Sequence, residues 1–194
     1  MEKREIGRSG IMASGIGLGA WAIGGGLWWG DNDDKMSINT IHRALELGIN
    51  WVDTARVYGF GHSEEVVGKA LKEISRHKMI LSTKCGIQWY DNRGEYHFTR
   101  EGHDVYRDLS PKAIRRDLEL SLKTLETEYV DVYYTHWQCK TYGMIPVADT
   151  MGELMKMKQE GKIRAIGASN VDIQILKDYV DAGQLDVIQE KLSI

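Results

Sequence analysis

Short apolar, β-branched runs alternate along the chain with segments whose apolar residues recur every three to four positions. The runs are Gly15 to Leu18, Ile49 to Asp53, Met79 to Thr83, Val130 to Tyr134, Ile163 to Gly167 and Val187 to Gln189. Their length and composition predict strands buried on both faces. Between them, segment 36–48 carries Ile41, Ala44, Leu45 and Leu47. The later segments carry Val66, Val67, Ala70, Leu71 and Ile74, then Ile114, Leu118, Leu122 and Leu125, then Leu154 and Met157, then Ile173, Leu176 and Val180. Each set has the spacing of one helix face. End signals agree: Ser63 and Asn170 stand near helix starts, Ser110-Pro111 gives a cap followed by a first-turn proline, and Gly161 and Gly183 are stops. Ahead of the first run, Lys3 to Ile6 and Ile11 to Ala13 flank the turn pair Ser9-Gly10 and predict a hairpin. Regular strand–helix alternation implies a parallel sheet of α/β class and excludes all-α and all-β folds.

Two stretches break this rhythm. Ala22 to Asp34 is rich in Gly, Trp and Asp, and Cys85 to Asp108 is a long polar and aromatic insertion. Each follows the C-terminal end of a strand, where long loops cover sites, so both are expected to wall a pocket. Composition narrows what could fill it. A net charge of −3 and a pI near 6.1, with Lys and Arg scattered, offer no field for nucleic acid or an anionic membrane. A small neutral or anionic metabolite suits the chain better. With 42% hydrophobic residues among 194, it can bury the core of one domain. Cys85 and Cys139 lie far apart without CxxC spacing, which indicates reduced thiols. No signal-peptide or membrane-span pattern follows the charged N-terminus, so the cytoplasm is the expected compartment.

Four polar residues stand where strands end. Asp53, Tyr58, Lys84 and His136 lie at, or just past, the C-terminal ends of the second, third and fourth runs, and parallel strands bring those ends to one face. A phenol held there beside an ammonium is a proton donor to a carbonyl. A free phenol has a pKa of about 10; Lys84 is expected to pull it down, while Asp53 keeps Lys84 cationic and screens part of its field. His136, as neutral imidazole, is expected to donate to the substrate oxygen and set which carbonyl face reacts. Taken singly, these residues also read as a buried ion pair, a rim aromatic and a core histidine. Together at one end of one sheet they favour chemistry. Asp53 and His136 could instead ligate a metal, but no HxH cluster ends the first strand and no metal is expected. Gly15-Ile-Gly-Leu-Gly-Ala matches a dinucleotide fingerprint weakly, because a Gly-Trp-rich loop follows it instead of a helix.

Five motifs in order then carry a likeness: Gly15-Ile-Gly-Leu-Gly-Ala-Trp, Val52-Asp-Thr-Ala-Arg-Val-Tyr-Gly, Ser82-Thr-Lys, Asp131-Val-Tyr-Tyr-Thr-His-Trp and Gly161-Lys-Ile-Arg-Ala-Ile-Gly-Ala-Ser-Asn. Along essentially its whole length the chain resembles the aldo-keto reductases. The resemblance implies a (β/α)8 TIM-barrel type of fold, read over 1–194 as a single domain. A hairpin over 1–14 closes the barrel floor, and an incomplete barrel of about six βα units fills 15–194. A whole barrel takes about eight strands and about 250 residues, so a fragment is expected, with its first and sixth strands as open edges. Cofactor binding by the fragment is expected to be weak or absent, since the family's phosphate site lies in the missing quarter.

The resemblance also implies an oxidoreductase that transfers a hydride between a nicotinamide cofactor, NADP(H) or NAD(H), and an aldehyde, ketone or sugar, or the alcohol in reverse. Tyr58 becomes the general acid/base, with Asp53, Lys84 and His136 completing the catalytic set. Ser169, Asn170 and Gln189 match residues that hold the nicotinamide carboxamide, with Trp21 and Asp53 also on the cofactor side, although capping is an alternative for Ser169 and Asn170. Trp21, Trp89 and Trp137 become apolar pocket walls. The expected partner is a small carbonyl or alcohol, an oligomer being compatible, with neither nucleic acid nor membrane. A nucleotide-sensing, partner-binding module is the alternative, because the β subunits of voltage-gated potassium channels resemble the same barrel.

Overall fold

Strand and helix alternate as the apolar pattern predicts, with one addition. The computed structural model describes residues 1–139 and 145–192, apart from the side chain of Leu27. In chain order it has β1 (Lys3–Glu5), β2 (Met12–Ser14), β3 (Leu18–Gly19), a short α1 (Gly26–Trp29), α2 (Asp34–Glu46) and β4 (Trp51–Asp53). Then come α3 (His62–Leu71), β5 (Ile80–Cys85), β6 (Ile87–Gln88), β7 (Glu95–Arg100), β8 (His103–Arg107) and α4 (Pro111–Thr124). The chain continues through β9 (Val130–Thr135), α5 (Val147–Gln159), β10 (Ile163–Ser169), α6 (Ile173–Ala182) and β11 (Val187–Gln189).

Six strands form one parallel sheet in the order β11-β10-β9-β5-β4-β3, an incomplete (β/α) barrel with β3 and β11 at its open edges. Every residue of the central strands β5 and β9 is buried, because both faces of the sheet are covered. On the outer face Leu81, Tyr133 and Ile166 pack with Val67, Ile114, Leu118 and Leu154 from the helices. On the inner face Ile80, Val132, Tyr134 and Ala165 meet Ile6, Ile11 and Ala13 of the β1–β2 hairpin. The hairpin therefore closes one end of the curl. Asp131 at the start of β9 is buried with its charge matched by Arg76 (2.7 Å) and Arg164 (2.6 Å), and it also accepts from the Leu81 amide (2.9 Å).

Several boundaries and caps differ from expectation. The first barrel strand is shorter and later than Gly15 to Leu18, whereas β5 and β10 run on far enough to contain Lys84 and Ser169. Ser110 caps α4 by accepting from the Ala113 amide, as predicted. Ser63 does not cap α3. The cap is Gly61, at φ 106°, and the Ser63 hydroxyl lies inside the helix, donating to the Ala20 carbonyl at 2.7 Å. Asp172, not Asn170, caps α6 by accepting from the amides of Gln174 and Ile175. The predicted stripe of α6 also lies wrong, since Ile173 and Val180 are exposed while Tyr179 is buried against the core.

The largest difference is the insertion after β5. It is not irregular loop but a three-stranded antiparallel sheet, ordered β6-β8-β7, with Glu101-Gly102 turning β7 into β8 at positive φ. Among the described residues no helix is long and apolar enough to cross a membrane.

Candidate active site

The centre is assembled from the ends of β4 and β5. Register pairs Asp53 with Ser82 and Lys84 with Tyr134, which sets the Asp53 and Lys84 side chains beside each other. The Lys84 ammonium donates to Asp53 Oδ2 at 2.7 Å, to the Thr54 carbonyl at 2.8 Å and to the Tyr58 hydroxyl at 3.3 Å. Asp53 is fixed from its other sides by the Ser82 hydroxyl (2.6 Å) and the Gln189 amide (3.2 Å). Its oxygens are thus committed to the lysine and these donors. Tyr58 stands on a single turn just past β4, held where two loops touch: a Cβ on Gly59 would lie 2.2 Å from the Gly24 carbonyl oxygen. Only glycine permits that approach. The ring of His136, just past β9, meets Tyr58 edge-on at 5.6 Å between centroids. All four predicted side chains therefore come together.

Their electrostatics partly depart from expectation. Burial opposes the charge on Lys84, yet Asp53 and Tyr58 outweigh it and the ammonium is held above its usual value. Lys84 stays charged. Burial, with the neighbouring charge of Lys84 and then His97, pushes His136 well below the usual imidazole value, so its ring is neutral at physiological pH. Tyr58 goes the other way from the prediction. Burial lifts the phenol, Lys84 pulls it down, Asp53 pushes it up, and the sum lies above the ordinary tyrosine value. Desolvation wins, and the phenol keeps its proton throughout the neutral range.

Tyr58 and His136 open into a cavity of about 510 Å³ whose lining includes Trp21, Trp137, Ser169, Asn170 and Gln189. Asp53 and Lys84 lie beneath it. Trp21 approaches the Tyr58 ring to 6.0 Å. Both rhythm-breaking stretches reach the cavity, the first through Gly25 and Trp28, the second through Ile87, His97, Phe98 and Arg100. Trp89 does not line it. After β6 the Gln88 side chain gathers the Asp91 and Arg93 carbonyls and the Tyr90 amide into a tight turn, which carries Trp89 behind Phe60, 5.1 Å away. Phe60 takes the wall position instead. Ser169 donates to the Gln189 carbonyl (2.9 Å), and Asn170 at φ 54° donates to the His136 carbonyl (2.8 Å), so neither caps α6. Sequence reasoning missed Phe60, His97 and Arg100. The aromatic pair Tyr96 and Phe98 was a partial sign of a strand, broken by the register shift between them.

A family model described as the aldo/keto reductase family matches residues 15–193. The chain belongs to the aldo/keto reductase family. It is 46% identical to an NADH-specific methylglyoxal reductase of Escherichia coli (strain K12), over 100% of this chain and 60% of that one. It is 42% identical to the aldo-keto reductase YhdN of Bacillus subtilis (strain 168), over 97% of this chain and 53% of that one. Among solved structures, the glycerol dehydrogenase of Gluconobacter oxydans superposes on this family member with a TM-score of 0.84 at 39% identity, over 98% of this chain and 55% of that one. The chain spans little more than half the length of the relatives it matches.

Proposed function

We propose that this chain carries the carbonyl-handling part of an NAD(P)H-dependent aldo-keto reductase acting on small aldehydes, ketones or sugars, or on the corresponding alcohols in reverse. The observation that carries the reading is the Tyr58 hydroxyl 3.3 Å from a buried ammonium, at the mouth of a cavity shared with a neutral histidine. The printed names of two relatives, a methylglyoxal reductase and a glycerol dehydrogenase, support it.

Reduction puts a proton on oxygen where alkoxide charge develops. Tyr58 holds that proton at Oη, and Lys84 steadies the phenolate left behind while Asp53 keeps the lysine cationic. His136 donates to the same oxygen and orients the carbonyl. The carbonyl end of the cavity also fits a nicotinamide ring. Ser169, Asn170 and Gln189 stand together at the ends of β10 and β11, and both amide side chains turn their nitrogens onto protein acceptors, which leaves their carbonyl oxygens for an amide donor. These three residues, with Trp21 and Asp53 near them, would hold the cofactor, NADP(H) or NAD(H). When bound, that cofactor supplies the hydride.

The test is oxidation of NADH and NADPH by the full-length protein with methylglyoxal and other small aldehydes. Turnover is expected with one of the two cofactors, and Tyr58→Phe, which removes only the proton donor, is expected to lower kcat/KM by about 10²–10⁴-fold. Turnover that ignores Tyr58→Phe ends the proposal.

A further inference from the structure

The pocket holds a cation that proton transfer does not use. Arg100 ends β7 just before the Glu101-Gly102 turn and lines the same cavity as Tyr58 and His136. Its guanidinium carbon lies 3.9 Å from the centroid of the Trp28 ring. Among the described residues its guanidinium forms no hydrogen bond and no ion pair, and its Nε is sealed from solvent without a partner. The Nε atoms of Arg107 and Arg116 are sealed in the same way, and the difference lies in the terminal nitrogens, which the neighbouring arginines have engaged. Arg93 and Arg116 both bind Asp91, at 2.7 and 3.1 Å, and Arg107 donates to His97 at 2.9 Å.

An arginine laid on an indole keeps its planar fork in place before a ligand arrives. With Nε closed off, the two terminal nitrogens are the open edge, and that end-on pair matches the two oxygens of a carboxylate. Glu101, Glu190 and Lys191 line the same cavity. Lys191 offsets one of the two carboxylates, and the remaining negative charge disfavours a phosphate dianion more than a singly charged carboxylate. We propose that Arg100 is a specificity residue that binds the carboxylate of an aldehyde substrate while the aldehyde group lies at Tyr58. The assignment rests on the reductase reading of the cavity.

Butyrate, which carries a carboxylate and no reducible carbonyl, separates the two. Tryptophan fluorescence of the full-length protein titrated with butyrate is expected to give a saturable change. Arg100→Met should weaken it about 10–100-fold, the loss typical of a hydrogen-bonded charge, and Arg100→Lys, which keeps the charge but not the fork, should fall between. In NAD(P)H oxidation the ratio of kcat/KM for succinic semialdehyde to that for butanal should drop by a similar factor in Arg100→Met, through KM. Equal butyrate affinity in the wild type and Arg100→Met overturns the proposal, as does the absence of a saturable response in the wild type or a tighter response to inorganic phosphate. Should circular dichroism show that Arg100→Met has lost its fold, Arg100→Lys is judged by the same criteria. If the wild type reduces neither aldehyde, the reductase reading fails, and the butyrate titration still decides the role of Arg100.

Discussion

The strand-end tetrad and the aromatic wall face each other across one cavity but are held by opposite means. Lys84 rises from a fully buried strand and is pinned by Asp53, Thr54 and Tyr58, contacts that join neighbouring strands of the main sheet. The wall is a small separate sheet whose outer strand β7 is half exposed and carries a register shift between Tyr96 and Phe98. It leaves β5 at Gly86, where the Gly86 amide donates to Asp117 Oδ2 at 2.9 Å and the Gly86 carbonyl accepts from Asp108 at 3.1 Å. The tetrad is therefore built into the barrel, whereas the wall joins it at Gly86 and through side-chain bonds such as Arg107 to the Gln138 carbonyl (3.1 Å) and Arg116 to Asp91 (3.1 Å). Such a wall can change its sequence while the strand-end residues keep their register.

Removing the cation from the tetrad gives the largest expected effect. Lys84→Met leaves Asp53 without its ion-pair partner, and losing one member of a buried pair costs about 3–5 kcal/mol. Chemical denaturation should show that loss, and reductase turnover should vanish. Adding Asp53→Asn removes the stranded carboxyl group and should restore part of the stability but none of the turnover. If the double variant is no more stable than Lys84→Met, the pair is not what holds this side of the cavity.

The tetrad was legible because it uses signals that a sequence displays directly. Asp53, Lys84 and His136 end apolar runs, and strands that central admit little ambiguity of register. The wall was not. Its turn is Glu101-Gly102 rather than Asn-Gly, and its strands mix charged and aromatic residues, so neither hairpin chemistry nor clean alternation announced it. Trp89 was expected in the wall from the resemblance, and its direction was decided by the side-chain contacts of Gln88. Helix α6 shows a further limit. It offers two apolar stripes, Ile173-Leu176-Val180 and Ile175-Tyr179-Ala182, and periodicity cannot say which one meets the sheet.

The joint between wall and barrel should make stability depend on pH. Asp117 on α4 is buried beneath the hinge, and burial, only partly offset by the Gly86 amide and by Arg116 and Arg56, pushes its carboxyl up to about 7. The unfolded carboxyl loses its proton near the ordinary value of 3.8 while the folded one still holds it. This contribution is full below that value and disappears as pH rises through about 7, so stability should fall by a few kcal/mol over the interval. Asp117→Asn cannot titrate. Urea midpoints between pH 4 and pH 8 should therefore slope downward in the wild type relative to the variant, and parallel curves would show that the hinge is not pH-linked.

The smallest expected change, and the sharpest for the comparison, is Gly86→Ala. Gly86 sits at φ +84°, where an L side chain costs about 1–2 kcal/mol. An added Cβ would also lie 2.3 Å from Leu109 Cδ2, the tip of a side chain that can turn aside, so steric cost adds little to backbone cost. The variant should fold, with a modest loss of stability. Its hinge should sit differently, moving Ile87 and the strands beyond it while Lys84, two residues back inside β5, stays anchored to Asp53. KM for aldehydes should rise and kcat should change little, because proton transfer does not depend on the wall. A fall in kcat as deep as that of Tyr58→Phe would mean the opposite: that the insertion holds Tyr58 in place, and that the two sides of the cavity form one unit.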